Sequence, residues 1–186
     1  MSNFIGVENL RFSKLIKDDE TGVQYETLKR IAGLVKISVE PTSNTASFYA
    51  DNQVMESVTR LGEIKVTLET GNLPLSIIAE LMGHEYDEEN GRIICRAGDV
   101  PPNVGLIYTR NKANGDVRHV KIFKVQFGLS KDEATTTGDS VEFTAESIEG
   151  IAMPLQHNGE WKDMIEPNES NGELVSKFVA SMFITE

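Results

Sequence analysis

Three histidines, one cysteine and an abundance of carboxylates are the residues in this chain with the means to do chemistry. A zinc or general-base role asks for histidines at ligand spacing, as in His-Glu-x-x-His on one helix face. His84, His119 and His157 are scattered instead, with no such spacing around any of them. Ser140 stands in Gly138-Asp139-Ser140, which lacks the second glycine of a nucleophile elbow. There is no glycine loop to cradle a phosphate. The acidic stretch Asp18-Asp19-Glu20-Thr21-Gly22 lacks the ligand spacing of a calcium loop and reads as a solvated turn. Asn168-Glu169-Ser170 fits a glycosylation sequon. It is discounted, because Met1 to Gly6 shows no basic region followed by an apolar core, as a secretory signal would. Carboxylates are plentiful, but sequence alone places no pair at glycosidase spacing. The expectation is therefore no catalytic centre, no metal site, no cofactor and no enzyme.

Composition narrows the class further. At 186 residues the chain is long enough for one domain with a sizeable core. Apolar residues make up 39 %, somewhat low for a globular protein, and charged residues 25 %, which is typical. No run of eighteen apolar residues occurs, so no membrane span is expected. The single cysteine excludes an internal disulfide and fits synthesis in a reducing cytoplasm. Cys95 follows Ile93-Ile94 in a predicted strand and reads as a buried structural thiol. The formal net charge is −11, and Lys131 to Gly150 holds six acidic residues after one lysine. A protein that grips nucleic acid neutralises phosphates with a basic patch. This surface repels them, although solubility alone also accounts for the surplus.

The elements that would position any site are mostly strands. Ile31 to Glu40 alternates, with Ile31, Val35, Ile37 and Val39 on one face and Lys36, Ser38 and Glu40 on the other. Pro41 is expected to end this strand, because proline cannot donate to a ladder. Leu61 to Glu69 alternates again, with Ile64, Val66 and Leu68 inward and Glu63, Lys65, Thr67 and Glu69 outward. Between them lies a long polar passage, 42–60, that carries Phe48, Tyr49, Asp51, Val54 and Met55. A loop of that length between two firm strands is functional or else disordered until something binds it. We read it as an arm that packs on another subunit; a mobile surface loop is the bland alternative. A short helix follows at about 73–82, with Asn72 as N-cap, Pro74 in the first turn and Gly83 as C-terminal cap.

Elsewhere, Leu10 to Ile16 is a predicted strand running into the acidic turn, with Val23 to Thr27 pairing back. Asn90-Gly91 marks a turn, and Arg92 to Arg96 a short strand. The clearest hairpin is Val104 to Phe127 around Asn114-Gly115. Its return strand changes parity between Ile122 and Phe123, so either a bulge intervenes or both faces are covered, and the latter would suit a subunit contact. Ser140 to Ala152 alternates Val141, Phe143 and Ala145 against Glu142, Thr144 and Glu146, with a parity change at Ile148. Trp161, the sole tryptophan, follows a turn at Asn158-Gly159 and reads as packing. Ser170-Asn171-Gly172-Glu173 matches a capping box for a C-terminal helix at about 171–183, with Leu174, Val175, Phe178, Val179, Met182 and Phe183 on one packing face. These elements predict a single, mainly β domain: a sandwich or flattened barrel of about seven or eight strands.

A family resemblance runs through nearly the whole chain. Val39-Glu40-Pro41, Ala46-Ser47-Phe48-Tyr49-Ala50-Asp51, Leu61-Gly62-Glu63-Ile64, Asn72-Leu73-Pro74 and Leu81-Met82-Gly83-His84 occur in order. Gly138-Asp139-Ser140-Val141-Glu142-Phe143 and Asn158-Gly159-Glu160-Trp161 continue the series. The set resembles the major tail (tail tube) proteins of long, non-contractile-tailed phages of Gram-positive bacteria. The resemblance implies a structural virion protein, assembled in the host cytoplasm into stacked, six-fold rings whose lumen passes DNA. It implies as partners the chain itself, tape-measure, tail terminator and baseplate or tip proteins, with no membrane. On that reading Phe48, Tyr49, Asp51, Val54 and Met55 belong to an inter-subunit arm, and Glu63 and Glu69 are candidates to face the lumen. The alternative is a monomeric β-sandwich module that binds a ligand such as carbohydrate.

Overall fold

The strand Gln53–Thr70 carries the clearest alternation in the chain, and its burial follows it: Ile64, Val66 and Leu68 are 1 %, 0 % and 1 % exposed. A computed structural model describes residues 2–50, 53–128 and 145–183. Within them the chain is mainly β. In order, the elements are β1 (Phe4–Asp19), β2 (Gly22–Tyr25), β3 (Lys29–Arg30), β4 (Leu34–Ala50), β5 (Gln53–Thr70), α1 (Leu75–Met82), β6 (Glu85–Asp87), β7 (Arg92–Ile94), β8 (Asn103–Lys112), β9 (Val117–Phe127), β10 (Glu146–Ala152), β11 (Lys162–Ile165) and α2 (Gly172–Ala180).

One nine-stranded antiparallel sheet dominates, running β2-β1-β8-β9-β10-β5-β4, with β3 added to β1 and β11 to β9. The path has seven strands and the two extra ones are short; with the separate pair β6 and β7 the described residues hold eleven strands, against the seven or eight expected. β4 comes close to β1 without a ladder between them, so the sheet curls into a flattened barrel that stays open along one seam. Its interior is packed by Leu10 and Phe12 of β1, by β5, and by Leu106, Ile122, Val125 and Phe127 of the β8–β9 hairpin. The tight turn of that hairpin uses Gly115 at φ 89°, a left-handed conformation that glycine adopts without strain.

Helix α1 drives Leu81 and Met82 into the same core. Gly83 ends it in the left-handed region, φ 73°, where a Cβ would also run into the carbonyl of Val100. The N-cap is Pro74 rather than Asn72, and no side chain caps this end.

The parity change on β9 is a bulge: the ladder with β8 slips between Val104 and Leu106, and past it Val125 and Phe127 return to the barrel core. Val120 and Ile122 face the barrel core, while Phe123, together with Ile107 of β8, lies under α2 in a second cluster with Leu155, Phe178 and Met182. The strand needs no subunit contact to bury it.

Several expectations are corrected. Pro41 does not end its strand; β4 continues to Ala50 because it is the last strand of the sheet path, and an edge tolerates a residue without an N–H. Val35 is 57 % exposed, since the ladder slips between Leu34 and Lys36 and Leu34 takes the inward place. Cys95 is exposed: β7 stops at Ile94 in a two-stranded flap of β6 and β7 that stands apart from the main sheet. Helix α2 is capped at Asn171 without a side-chain bond and ends at Ala180, so the capping box is not formed. Ala145 is exposed and outside β10, which buries Ile148, Gly150 and Ala152; Val141 and Phe143 lie outside the described residues.

Candidate functional site: a projecting ribbon and an acidic sheet face

Beyond the barrel, β4 and β5 continue as a two-stranded ribbon. Ladder pairs run from Ser43↔Leu61 through Thr45↔Thr59 and Ser47↔Ser57 to Phe48↔Glu56, Tyr49↔Val54 and Ala50↔Gln53. The sequence reading of 42–60 as an irregular loop is thus replaced by a strand pair. Polar β-branched and hydroxyl residues at alternate places explain both readings: they lack an apolar face to announce a strand, yet they pair well across a ladder. The hydroxyls of Thr45 and Thr59 are 2.9 Å apart, and Thr42 Oγ1 donates to the Glu63 carbonyl at 2.8 Å. An irregularity between Pro41 and Ser43 lets the ribbon leave the barrel without changing which β4 face is which.

From Pro41 to Ser47 and from Met55 to Leu61 every side chain is exposed. Met55, Val58 and Leu61 are 66 %, 47 % and 46 % exposed. Of the other arm residues expected from sequence, Phe48, Tyr49 and Val54 lie in the ribbon backbone, and Asp51 lies outside the described residues. An isolated two-stranded hairpin is marginal in water. This one has backbone pairing but almost no burial.

The second feature is the outward face of β4, β5 and β10. Lys36 pairs with Glu69 at 3.0 Å, and Lys65 with Glu149 at 2.9 Å. Glu40 stands opposite Lys65 in the ladder, and Glu63 lines the same shallow groove as Lys65 and Glu149. The Lys65 amine is held above its usual range, first by its bond to Glu149 and the charge behind it, then by Glu40 and Glu63. Four carboxylates thus face two ammonium groups. Glu63 and Glu69 do sit on one outward face, as their alternation predicts, and the fold adds Glu40 and Glu149 to them. Glu69 is the more committed of the two, through its ion pair.

The C-terminal packing face is real but shorter than expected. Phe178 and Met182 are buried, and Val179 packs on the second cluster. Val175 is half-buried. Leu174 is 49 % exposed, because the first turn of α2 contributes nothing to that cluster. Met182 reaches it from extended chain after Ser181, not by helical spacing.

The histidines are separate in space as in sequence. His84 Nδ1 is 2.6 Å from Asp99 Oδ2 beside the end of α1. His119 Nδ1 meets Thr109 Oγ1 at 3.0 Å, its pKa lowered by burial and by Arg11. His157 Nδ1 lies 3.1 Å from the Asp19 carbonyl. No group of three metal-capable side chains occurs among the described residues. Asp18, read as part of a solvated turn, is instead largely buried: it accepts from Lys124 Nζ at 2.7 Å and from the Gln156 and His157 N–H groups at 2.8 and 3.2 Å.

Sequence reasoning missed two cationic features. Lys121 is 1 % exposed beneath α2. Around Phe4, the Arg110 and Arg118 guanidinium carbons lie 3.8 and 4.9 Å from the ring centroid, with Lys112 beside them. Phe4 on β1 is far in the chain from the β8–β9 hairpin that sets Arg110 opposite Arg118, so only the alternation on β8 and β9 hinted at a shared face. Compared with known families the chain matches no family model, and no curated protein matches it.

Proposed function

We propose that this chain is a self-assembling structural subunit: a tail tube protein of a long, non-contractile-tailed phage, forming stacked rings around a DNA-conducting lumen. The observation that carries the reading is the ribbon, paired along its backbone yet exposed along its sides. A subunit that buries Met55, Val58 and Leu61 on a neighbour gains about 1.5–3 kcal/mol for each fully buried side chain. Repeated at every contact, such burial favours an assembly of identical copies. The resemblance of the sequence to tail tube proteins supplies the kind of assembly.

The acidic face fits the same role. Lined by Glu40, Glu63, Glu69 and Glu149, a lumen repels phosphates, so DNA slides without being trapped through counterion release. The reading assigns the chain no catalysis. The alternative, a monomeric carbohydrate-binding module, calls for exposed aromatic platforms. Among the described side chains every Trp, Tyr and Phe is buried or half-buried.

Analytical ultracentrifugation across a concentration series tests the proposal. Growth from a single chain to ring-sized and larger species is expected. A single-chain species at every concentration would reject it.

A further inference from the structure

We propose that the open seam between β1 and β4 is a docking groove for an extended, carboxylate-bearing strand of another copy of this chain. The inference rests on the assembly reading above and names a contact that reading leaves open.

Two strand edges border the seam. β4 ends the sheet path and pairs with β5 alone. β1 from Phe4 to Glu8 pairs with β8 alone. Unpaired edges offer backbone donors and acceptors to an incoming strand. Between these edges lies a groove of about 410 Å³. Its lining includes Val7, Ile37 and Val39, all packed against the core, and the buried Tyr108, set among backbone and charged groups that make most of the exposed lining polar. Val35, 57 % exposed, lines the same groove.

Charge selects the occupant. Arg110 and Lys162 also line the groove. The nearby Lys112 and Arg118 share Glu166, at 2.7 and 2.5 Å. Among the described residues no carboxylate lies within 4.0 Å of Arg110 or Lys162. The Lys162 amine is lowered by burial and then by the charges of Arg110 and Arg118, the mark of cations crowded without an anion. In a chain of net charge −11, a groove whose cations have no carboxylate partner among the described residues favours an acidic segment of another copy. Strand edges, a cationic rim and a few apolar side chains in the floor together fit a strand that alternates apolar and acidic residues. A nucleic acid strand would satisfy the cations but neither the edges nor the floor.

The test uses the full chain and a synthetic Val-Glu alternating octapeptide, with a Val-Lys octapeptide and oligothymidylate as controls. Amide hydrogen exchange is read along Val35 to Val39 and at Gly6 and Val7. The Val-Glu peptide is expected to slow exchange there by about tenfold or more, and the controls to leave it unchanged. Arg110→Glu with Lys162→Glu should abolish this protection and weaken self-association by about tenfold at low salt. Arg110→Gln with Lys162→Gln serves if the charge reversal unfolds the chain. Protection by oligothymidylate instead, or no protection by Val-Glu in a chain that self-associates normally, overturns the docking groove alone. Unaltered assembly of the folded double variant overturns the second copy as occupant. A chain that never self-associates contradicts the assembly reading itself, whatever the peptide does.

Discussion

Lys121 Nζ sits 3.9 Å from the centroid of the Phe178 ring, and the two residues are 1 % and 2 % exposed. The lysine projects from β9 on the side away from the barrel core, and α2 closes over it. Phe178 therefore does two jobs: it fills the second apolar cluster and presents its π face to a buried ammonium.

Phe178→Ala should cost about 3–5 kcal/mol of unfolding free energy, the range for truncating a buried phenylalanine. Urea denaturation followed by circular dichroism measures it. A loss below about 1 kcal/mol would mean that α2 is not a structural part of the fold.

The same pair predicts a pH dependence. Burial lowers the Lys121 pKa to about 8 from an ordinary 10.5, against a smaller opposing pull from Asp163. The folded state therefore releases its proton before the unfolded state does. Between these two values the unfolded chain binds more protons, so stability rises with pH; below pH 8 the cost of the buried charge is fully present. Tyr25 acts in the opposite sense above about pH 10, because burial and then Asp18 raise its hydroxyl pKa in the fold. The clean window is thus pH 8 to 9.5. Thermal melts there should show wild type gaining stability relative to Lys121→Met, which should be the more stable protein at pH 7. Parallel profiles for the two proteins would refute the assignment.

Asp18 pins the Gln156–His157 backbone and Lys124 at once, and its side chain is 5 % exposed. Burial alone would raise its pKa, but the Lys124 bond and the two N–H groups outweigh it and hold the carboxyl below its usual range. Its contribution is present above the ordinary carboxylate pKa and is lost as pH falls through the lower folded value. Asp18→Ala leaves Lys124 without its partner and should cost about 3 kcal/mol at pH 7. A melting temperature unchanged from wild type would contradict the buried-pair account.

Deleting Ser47 to Glu56 should leave a folded chain that no longer assembles. The barrel core draws on Ile64, Val66 and Leu68 and on nothing from the ribbon beyond Pro41. Loop length changes closure entropy only logarithmically, so the shortened connection is tolerated. Near-native circular dichroism with loss of the larger species in sedimentation is the expected result. Normal assembly by the deletion variant would reject the ribbon as interface, and an unfolded product would make it part of the fold.

The alternation of β5 and the Asn114-Gly115 hairpin made most of the sheet legible in the sequence, because one covered face and one turn type write themselves directly into residue order. The second layer was harder to read. A bulge after Ile122 shifts the period of two on β9, α2 covers the strand's other side, and Lys121 is buried there against its type. The ribbon was hidden for the reverse reason: with no buried face, Thr45, Ser47, Ser57 and Thr59 look like loop. Of the candidate site, Glu63 and Glu69 were readable from strand parity. Glu149 and Glu40 join them only through sheet pairing, which a single sequence does not reveal. The Arg110–Arg118 pair follows from the β8–β9 hairpin, whereas Phe4 joins it only through the long-range register of β1 on β8.

We propose that this subunit polymerises through its exposed ribbon into a hollow tube. Negative-stain electron microscopy of the purified chain at high concentration tests it most directly. Rings with a central hole, and tubes made by stacking them, are the expected result. Uniform small particles of single-chain size at every concentration, with the ribbon intact, would contradict it.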